Sequence, residues 1–187
     1  MILLRTIAGS HLYGYATSTS DRDFFEVHTE KFVPVKRRGI PASSQQTIVD
    51  GVDVVRMTLS HFMERAAAGS HQALDAMFAS NPEIDLLKGF RESYRAGYDV
   101  IPAYRRIISK FAMQQGYRKQ RHALRAVFNL NDMLETGRYE PELSDHRISL
   151  ITDFAHMPYP KFRKLLIKKS KVEIESILPE DLPLITE

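Results

Sequence analysis

The chain has no cysteine, so disulfides, thiolate metal sites and a cysteine nucleophile are all excluded. That absence is compatible with a reducing cytoplasm, which is the expected location. Long apolar runs are missing too: no stretch approaches the roughly 18–20 apolar residues of a membrane-spanning helix, and no membrane partner is expected. The opening Met1-Ile2-Leu3-Leu4 is interrupted by Arg5 and ended by Gly9-Ser10-His11, too short for the apolar region of a secretory signal. It reads as a strand of the fold. There is no internal repeat, no low-complexity segment and no strong excess of one charge. The net charge is +3 and the pI about 9.1, a mild basicity that suits a phosphate-bearing partner without requiring one. What is present is 187 residues, 43% hydrophobic and 26% charged. Such a chain fits one ordinary soluble domain, or a small catalytic domain with a helical annex.

Strand signals fill the first half. Ile2 to Ala8 is β-rich and stops at Gly9-Ser10, a short helix can follow through Tyr15, and Thr17-Ser18-Thr19-Ser20 reads as a turn. Asp21 to Val27 reads as a second strand and residues 28–44 as a loop. Gln45–Val49 and Val52–Met57 flank Asp50-Gly51, a dipeptide suited to the positive φ that a type I′ hairpin turn needs. Leu59–Ala68 has a helical apolar stripe ended by Gly69, and Ser70 can cap a second short helix. From about Tyr98 strand signals stop. Ile101–Gln115, Tyr117–Glu135 and Pro160–Leu178 read as helices. The expected fold is α+β, with a small mixed sheet flanked by helices over 1–95 and a helical domain over 96–187.

Asp21-Arg22-Asp23 is the central observation. In a strand, residues two apart share a face, so both carboxylates would project together and repel unless a cation bridges them. Mg²⁺ takes carboxylate, water and phosphate oxygens, which such a pair offers. Asp53, in an otherwise apolar strand, is the natural third member. Three carboxylates let two metals sit roughly 3.5–4 Å apart, one activating a hydroxyl and one escorting pyrophosphate. Gly9-Ser10 adds backbone N–H groups and a hydroxyl for a triphosphate. Each feature also has a plainer reading: a solvated acidic pair, a carboxylate beside a turn (Asp50 or Glu26 would then be the third ligand), and a simple strand-ending turn.

Gly9-Ser10-His11-Leu12-Tyr13-Gly14-Tyr15-Ala16-Thr17, running into Ser20-Asp21-Arg22-Asp23, resembles the signature of the polymerase-beta-like nucleotidyltransferase superfamily. It looks most like the small bacterial and phage predicted nucleotidyltransferases. Asp53 through Phe62, Ala73–Phe78, and the basic helix Arg118–Arg125 resemble later parts of that branch, though only the first block is specific. The resemblance implies attack of an acceptor on the α-phosphate of a nucleoside triphosphate, with release of pyrophosphate. It implies Asp21, Asp23 and Asp53 as catalytic and metal-holding residues, two Mg²⁺ ions (or Mn²⁺ in their place), and Gly9 and Ser10 on the β- and γ-phosphates. Lys119, His122 and Arg125 would add nucleotide contacts. The acceptor is a hydroxyl of an RNA end, a protein or a small molecule. Three departures stand out: Phe25 and Glu26 where relatives often carry a basic residue and a glycine, Asp75 where they often carry glutamate, and no helix ahead of the first strand.

Arg118, His122, Arg125 and Asn129 share one helix face, which either clamps triphosphate or is an exposed charged stripe. Lys161, Lys164, Lys168 and Lys171 form another stripe, and Lys36-Arg37-Arg38 a basic cluster; both suit nucleic-acid phosphates and both suit plain solvent exposure. The rival to an enzyme is a non-catalytic, antitoxin-like module of the same fold that binds nucleic acid or protein.

Overall fold

The computed structural model describes residues 1–31 and 42–171. The fold is α+β, in two units: Met1–Ala96 with Glu140–Leu143, and the residues 97–139 and 144 onward.

The first unit is built on five strands. These are β1 (Ile2–Ala8), β2 (Asp23–His28), β3 (Ser44–Val49), β4 (Val52–Thr58) and the two-residue β5 (Ile84–Asp85), ordered β3-β4-β2-β1-β5. β2 runs parallel to β4, and the other pairings are antiparallel. Four helices accompany the sheet: α1 (Gly9–Leu12), α2 (Leu59–Ala67), α3 (His71–Phe78) and α4 (Lys88–Ser93). Strand alternation puts Leu4, Thr6, Phe25, Val27 and Met57 on one sheet face, and all five are buried. α2 packs on β2 and β4, and α3 on β1. The Phe25 and Phe62 rings lie 5.8 Å apart. This face is the core.

The β3–β4 hairpin turns at Asp50 (φ 51°) and Gly51 (φ 79°), the two left-handed residues of a type I′ turn. At the next junction the Thr58 hydroxyl accepts from the His61 N–H at 3.3 Å and caps α2, satisfying a donor the helix start leaves open. The strand reading over Asp21–Val27 needs one correction: β2 begins at Asp23. Ala8, the last paired residue of β1, already faces Asp23, and Gly9 (φ 63°) turns the chain into α1. Asp21 and Arg22 therefore have no β1 residue to pair with. β5 follows Asn81-Pro82 and pairs antiparallel with Leu4 and Arg5, a strand the sequence reading lacks. Residues 140–143 join this unit through Glu142, whose carboxylate accepts from the Ser80 N–H and hydroxyl at 2.9 and 3.0 Å.

The second unit is helical among its described residues: α5 (Val100–Ala112), α6 (Tyr117–Thr136), α7 (Asp145–Ala155) and α8 (Tyr159–Lys171). α5 packs on α6 and α8, and α6 on α7. Tyr104, Ile108, Leu124, Leu130, Ile151, Phe162 and Leu166 are the largest of its fully buried side chains among the described residues. Arg147 of α7 grips Asp132 of α6 through Nη2 and Oδ1 at 2.8 Å. α7 is an element the sequence reading lacks; Ser144 caps it by accepting from the Arg147 N–H at 3.3 Å. Among the described residues no helix is long and apolar enough to cross a membrane.

Candidate functional site

The ends of three adjacent strands meet at the candidate site. β1 finishes at Ala8, β2 starts at Asp23 and β4 starts just before Asp53. The register places Ala8 opposite Asp23 and Asp23 beside Asp53. Neighbouring strands lie about 4.8 Å apart, and side chains at paired positions share a face. Asp23 and Asp53 are therefore lateral neighbours at the end of the core face.

Two ionised carboxylates at about 5 Å repel by on the order of 3 kcal/mol at an effective dielectric of about 20. Asp53 Oδ2 accepts from Gln46 Nε2 at 2.7 Å, a partner on β3 that sequence reading missed; the hairpin register, which sets Ile48 opposite Asp53 and Gln46 on the same face, is the signal for it. Asp53 Oδ1 is buried and has no hydrogen-bond partner. Buried polar oxygens are nearly always satisfied in native proteins.

Gly9 closes the other side. A Cβ at this position would collide with the Asp23 carboxylate, and its positive φ independently favours glycine. The backbone of the Gly9-Ser10 turn thus lies against Asp23. Ser10 is half-buried. His11 Nε2 meets the Ser20 carbonyl at 3.1 Å, and Thr17 and Ser20 brace their turn through the Thr17 N–H to Ser20 Oγ bond at 2.9 Å and the Ser20 N–H to Thr17 carbonyl bond at 3.0 Å. That turn delivers Asp21, which is exposed and precedes β2. The Tyr13 hydroxyl donates to Asp75 Oδ2 at 2.7 Å, tying the residue after α1 to α3. Asp75 is buried and takes a structural role.

Asp23 and Asp53 are brought together by register, while Asp21 stands outside the strand. Among the described residues no group of three or more His, Asp or Glu side chains is gathered at metal-binding spacing. Glu26, the reserve third carboxylate, is excluded by alternation: it points to the opposite sheet face. There it is paired with Arg5, with Arg56 Nε at 3.0 Å and with His28 Nε2 at 2.8 Å. Burial by itself pushes the Glu26 carboxyl up, but the hydrogen bonds from His28 and Arg56 and the Arg56 and Arg5 charges outweigh it and hold the group below the ordinary carboxylate value. Asp50 sits in the exposed turn.

On α6, Arg118 is exposed, Lys119 and His122 are half-buried, and Arg125 and Asn129 are buried. The face is not a uniformly exposed stripe. The His122 ring stacks on Phe111 with centroids 5.1 Å apart, and Lys119 Nζ lies 5.6 Å from the same ring. Lys161 and Lys164 are exposed. The side chains of Lys168 and Lys171, the segment Lys36-Arg37-Arg38 and the end of the last expected helix, 172–178, lie outside the described residues.

The sequence matches no protein-family model and no curated protein.

Proposed function

We propose that the first unit is a metal-dependent nucleotidyltransferase acting on a nucleoside triphosphate and a hydroxyl acceptor. The observation that carries this reading is the buried, unpartnered Oδ1 of Asp53 beside Asp23. A divalent cation satisfies that oxygen and neutralises the pair together, and all-oxygen donors suit Mg²⁺. Asp23 and Asp53 would hold it, with Asp21 supplying a further carboxylate from the preceding turn. When bound, the ion neutralises triphosphate charge and polarises the α-phosphate.

The remaining roles belong to the chain itself. The Gly9-Ser10 turn, with a backbone unshielded by any Cβ at Gly9, offers N–H groups and the Ser10 hydroxyl to the β- and γ-phosphates. Asp53 accepts the proton of the acceptor hydroxyl as its oxygen bonds to the α-phosphorus. The bond from that phosphorus to the β-phosphate oxygen breaks, and pyrophosphate leaves with the electron pair. Lys119, His122 and Arg125 come to this reading from the resemblance and, for His122 and Arg125, from their shared helix face.

The rival, a non-catalytic module that binds nucleic acid or protein, draws support from one observation: Asp21 stands apart from the Asp23–Asp53 pair. Incubation with each α-labelled NTP, Mg²⁺ and a cell extract separates the two. The enzyme reading expects label to enter an RNA, protein or small-molecule fraction, and Asp23→Asn to abolish the transfer. Asp53→Ala should cost at least about 10²-fold in turnover. Transfer that survives Asp23→Asn contradicts the reading.

A further inference from the structure

The sheet face opposite the core carries a charge cluster that the proposed chemistry does not use. Its centre is Glu26, with a side chain only 1% exposed. Arg5 of β1, Arg56 of β4 and His28 of β2 itself all converge on its two carboxylate oxygens: Arg5 Nη1 and Oε1 pair, while Arg56 Nε and His28 Nε2 meet Oε2 at 3.0 and 2.8 Å. Arg5 is held from two further directions. Its Nε donates to Glu83 Oε2 at 2.9 Å, and its guanidinium lies 4.2 Å from the Phe24 ring centroid.

The position of this cluster along the strands gives it a purpose. Glu26 lies three residues after Asp23, Arg56 three after Asp53, and Arg5 four before Gly9. The register sets Glu26 opposite both Arg5 and Arg56. One buried side chain thus ties together the three strands whose ends carry Gly9, Asp23 and Asp53, about 10 Å from those ends at roughly 3.3 Å per residue.

We infer that Glu26 is a positioning residue for the candidate site, clamping β1, β2 and β4 in the one register that sets Asp23 beside Asp53 and Gly9 against Asp23. This rests on the reading of the Asp23–Asp53 pair as a cation site. The physical argument is the penalty for slipping. A one-residue shift of β4 against β2 turns every β4 side chain to the other face. Arg56 would then leave Glu26 short of a partner, and burying an under-compensated charge is strongly unfavourable. The core face acts in the same direction, because the slip that exchanges Val55 for Val54 would also turn Arg56 onto the buried face that Met57 fills. The same slip would carry Asp53 away from Asp23, so the clamp and the site share one register.

The test compares wild type with Glu26→Gln by amide hydrogen exchange, and measures Mn²⁺ binding by electron paramagnetic resonance, with Asp23→Asn defining the site's share of bound Mn²⁺. Glutamine keeps the shape but sets an NH₂ group against a guanidinium or the imidazole. The β1, β2 and β4 amides should lose protection while those of α2 and α3 keep theirs, and Mn²⁺ affinity should fall about 10-fold to 100-fold. A merely structural role would lower protection in sheet and helices alike; that result, unchanged strand protection or unchanged Mn²⁺ affinity each overturns the inference. Should Glu26→Gln not fold, Arg56→Lys removes only the β4 arm and should release the β2–β4 amides alone. Wild type that binds no Mn²⁺ overturns the cation reading, and the exchange result then decides the clamp separately.

Discussion

Asp53 shows how little of a side chain's role is written at its own position. Its neighbours Val52, Val54 and Val55 mark it as an acidic residue in an apolar strand, and that alone justifies singling it out. What makes it chemically distinctive is the parallel register that sets Asp23 beside it and the burial of an oxygen that nothing satisfies. Neither is a local property. Gly9 is the opposite case: Gly-Ser after a strand marks a turn, and the turn has the left-handed φ that glycine tolerates. Gly9→Ala should therefore act twice. The left-handed backbone costs about 1–2 kcal/mol, read as a lower urea midpoint, and the new methyl displaces the Asp23 carboxylate, read as weaker Mg²⁺-dependent NTP binding. A variant with wild-type stability and binding would mean that Gly9 does not support the site.

Elements with strong local chemistry were legible. Asp50-Gly51 between β-branched runs produces the β3–β4 hairpin, and the apolar stripes of α5 and α6 lie where their periodicity places them. Elements created by tertiary contact were not. β5 is two residues long and exists through pairing with Leu4 and Arg5, and β2 is cut short because β1 turns away at Gly9. α7 was hidden by Gly137 and Pro141, although Ser144 ahead of the apolar positions Ile148, Ile151 and Ala155 is a readable cap signal. The hairpin turn bears on function because it aligns β3 and β4, and hence Gln46 with Asp53. Gly51→Val forces a β-branched residue to φ 79° and should destabilise the protein by about 1–2 kcal/mol. Thermal melts provide the check; an unchanged midpoint would show that the turn relaxes without cost.

At the scale of the whole molecule, the α+β class follows from strand signals in one half of the sequence and their absence from the other. The Glu26 cluster was invisible because its members, residues 5, 26, 28 and 56, meet only when three strands are in register. Their charges also set a pH dependence. Burial raises the Glu26 pKa, but His28, Arg56 and Arg5 lower it further, so the folded value lies below the unfolded one. The stabilisation is present above the unfolded glutamate pKa of about 4.3 and is lost as pH falls through the folded value. Wild type should lose stability on acidification from about pH 5 downward, and Glu26→Gln, less stable at neutral pH, should show a shallower loss. Parallel acid profiles for the two proteins would contradict this assignment.

The central claim is that the Asp23–Asp53 pair holds a divalent cation on which triphosphate binding depends. Isothermal titration of a non-hydrolysable nucleoside triphosphate into the full chain, with Mg²⁺ and with EDTA, tests it most directly. Wild type should bind only with Mg²⁺, and Asp23→Asn should lose that binding while its metal-free melt is equal to or higher than wild type, since one of two repelling charges is gone. Equal binding in EDTA, or Mg²⁺-dependent binding left intact by Asp23→Asn, would contradict the account.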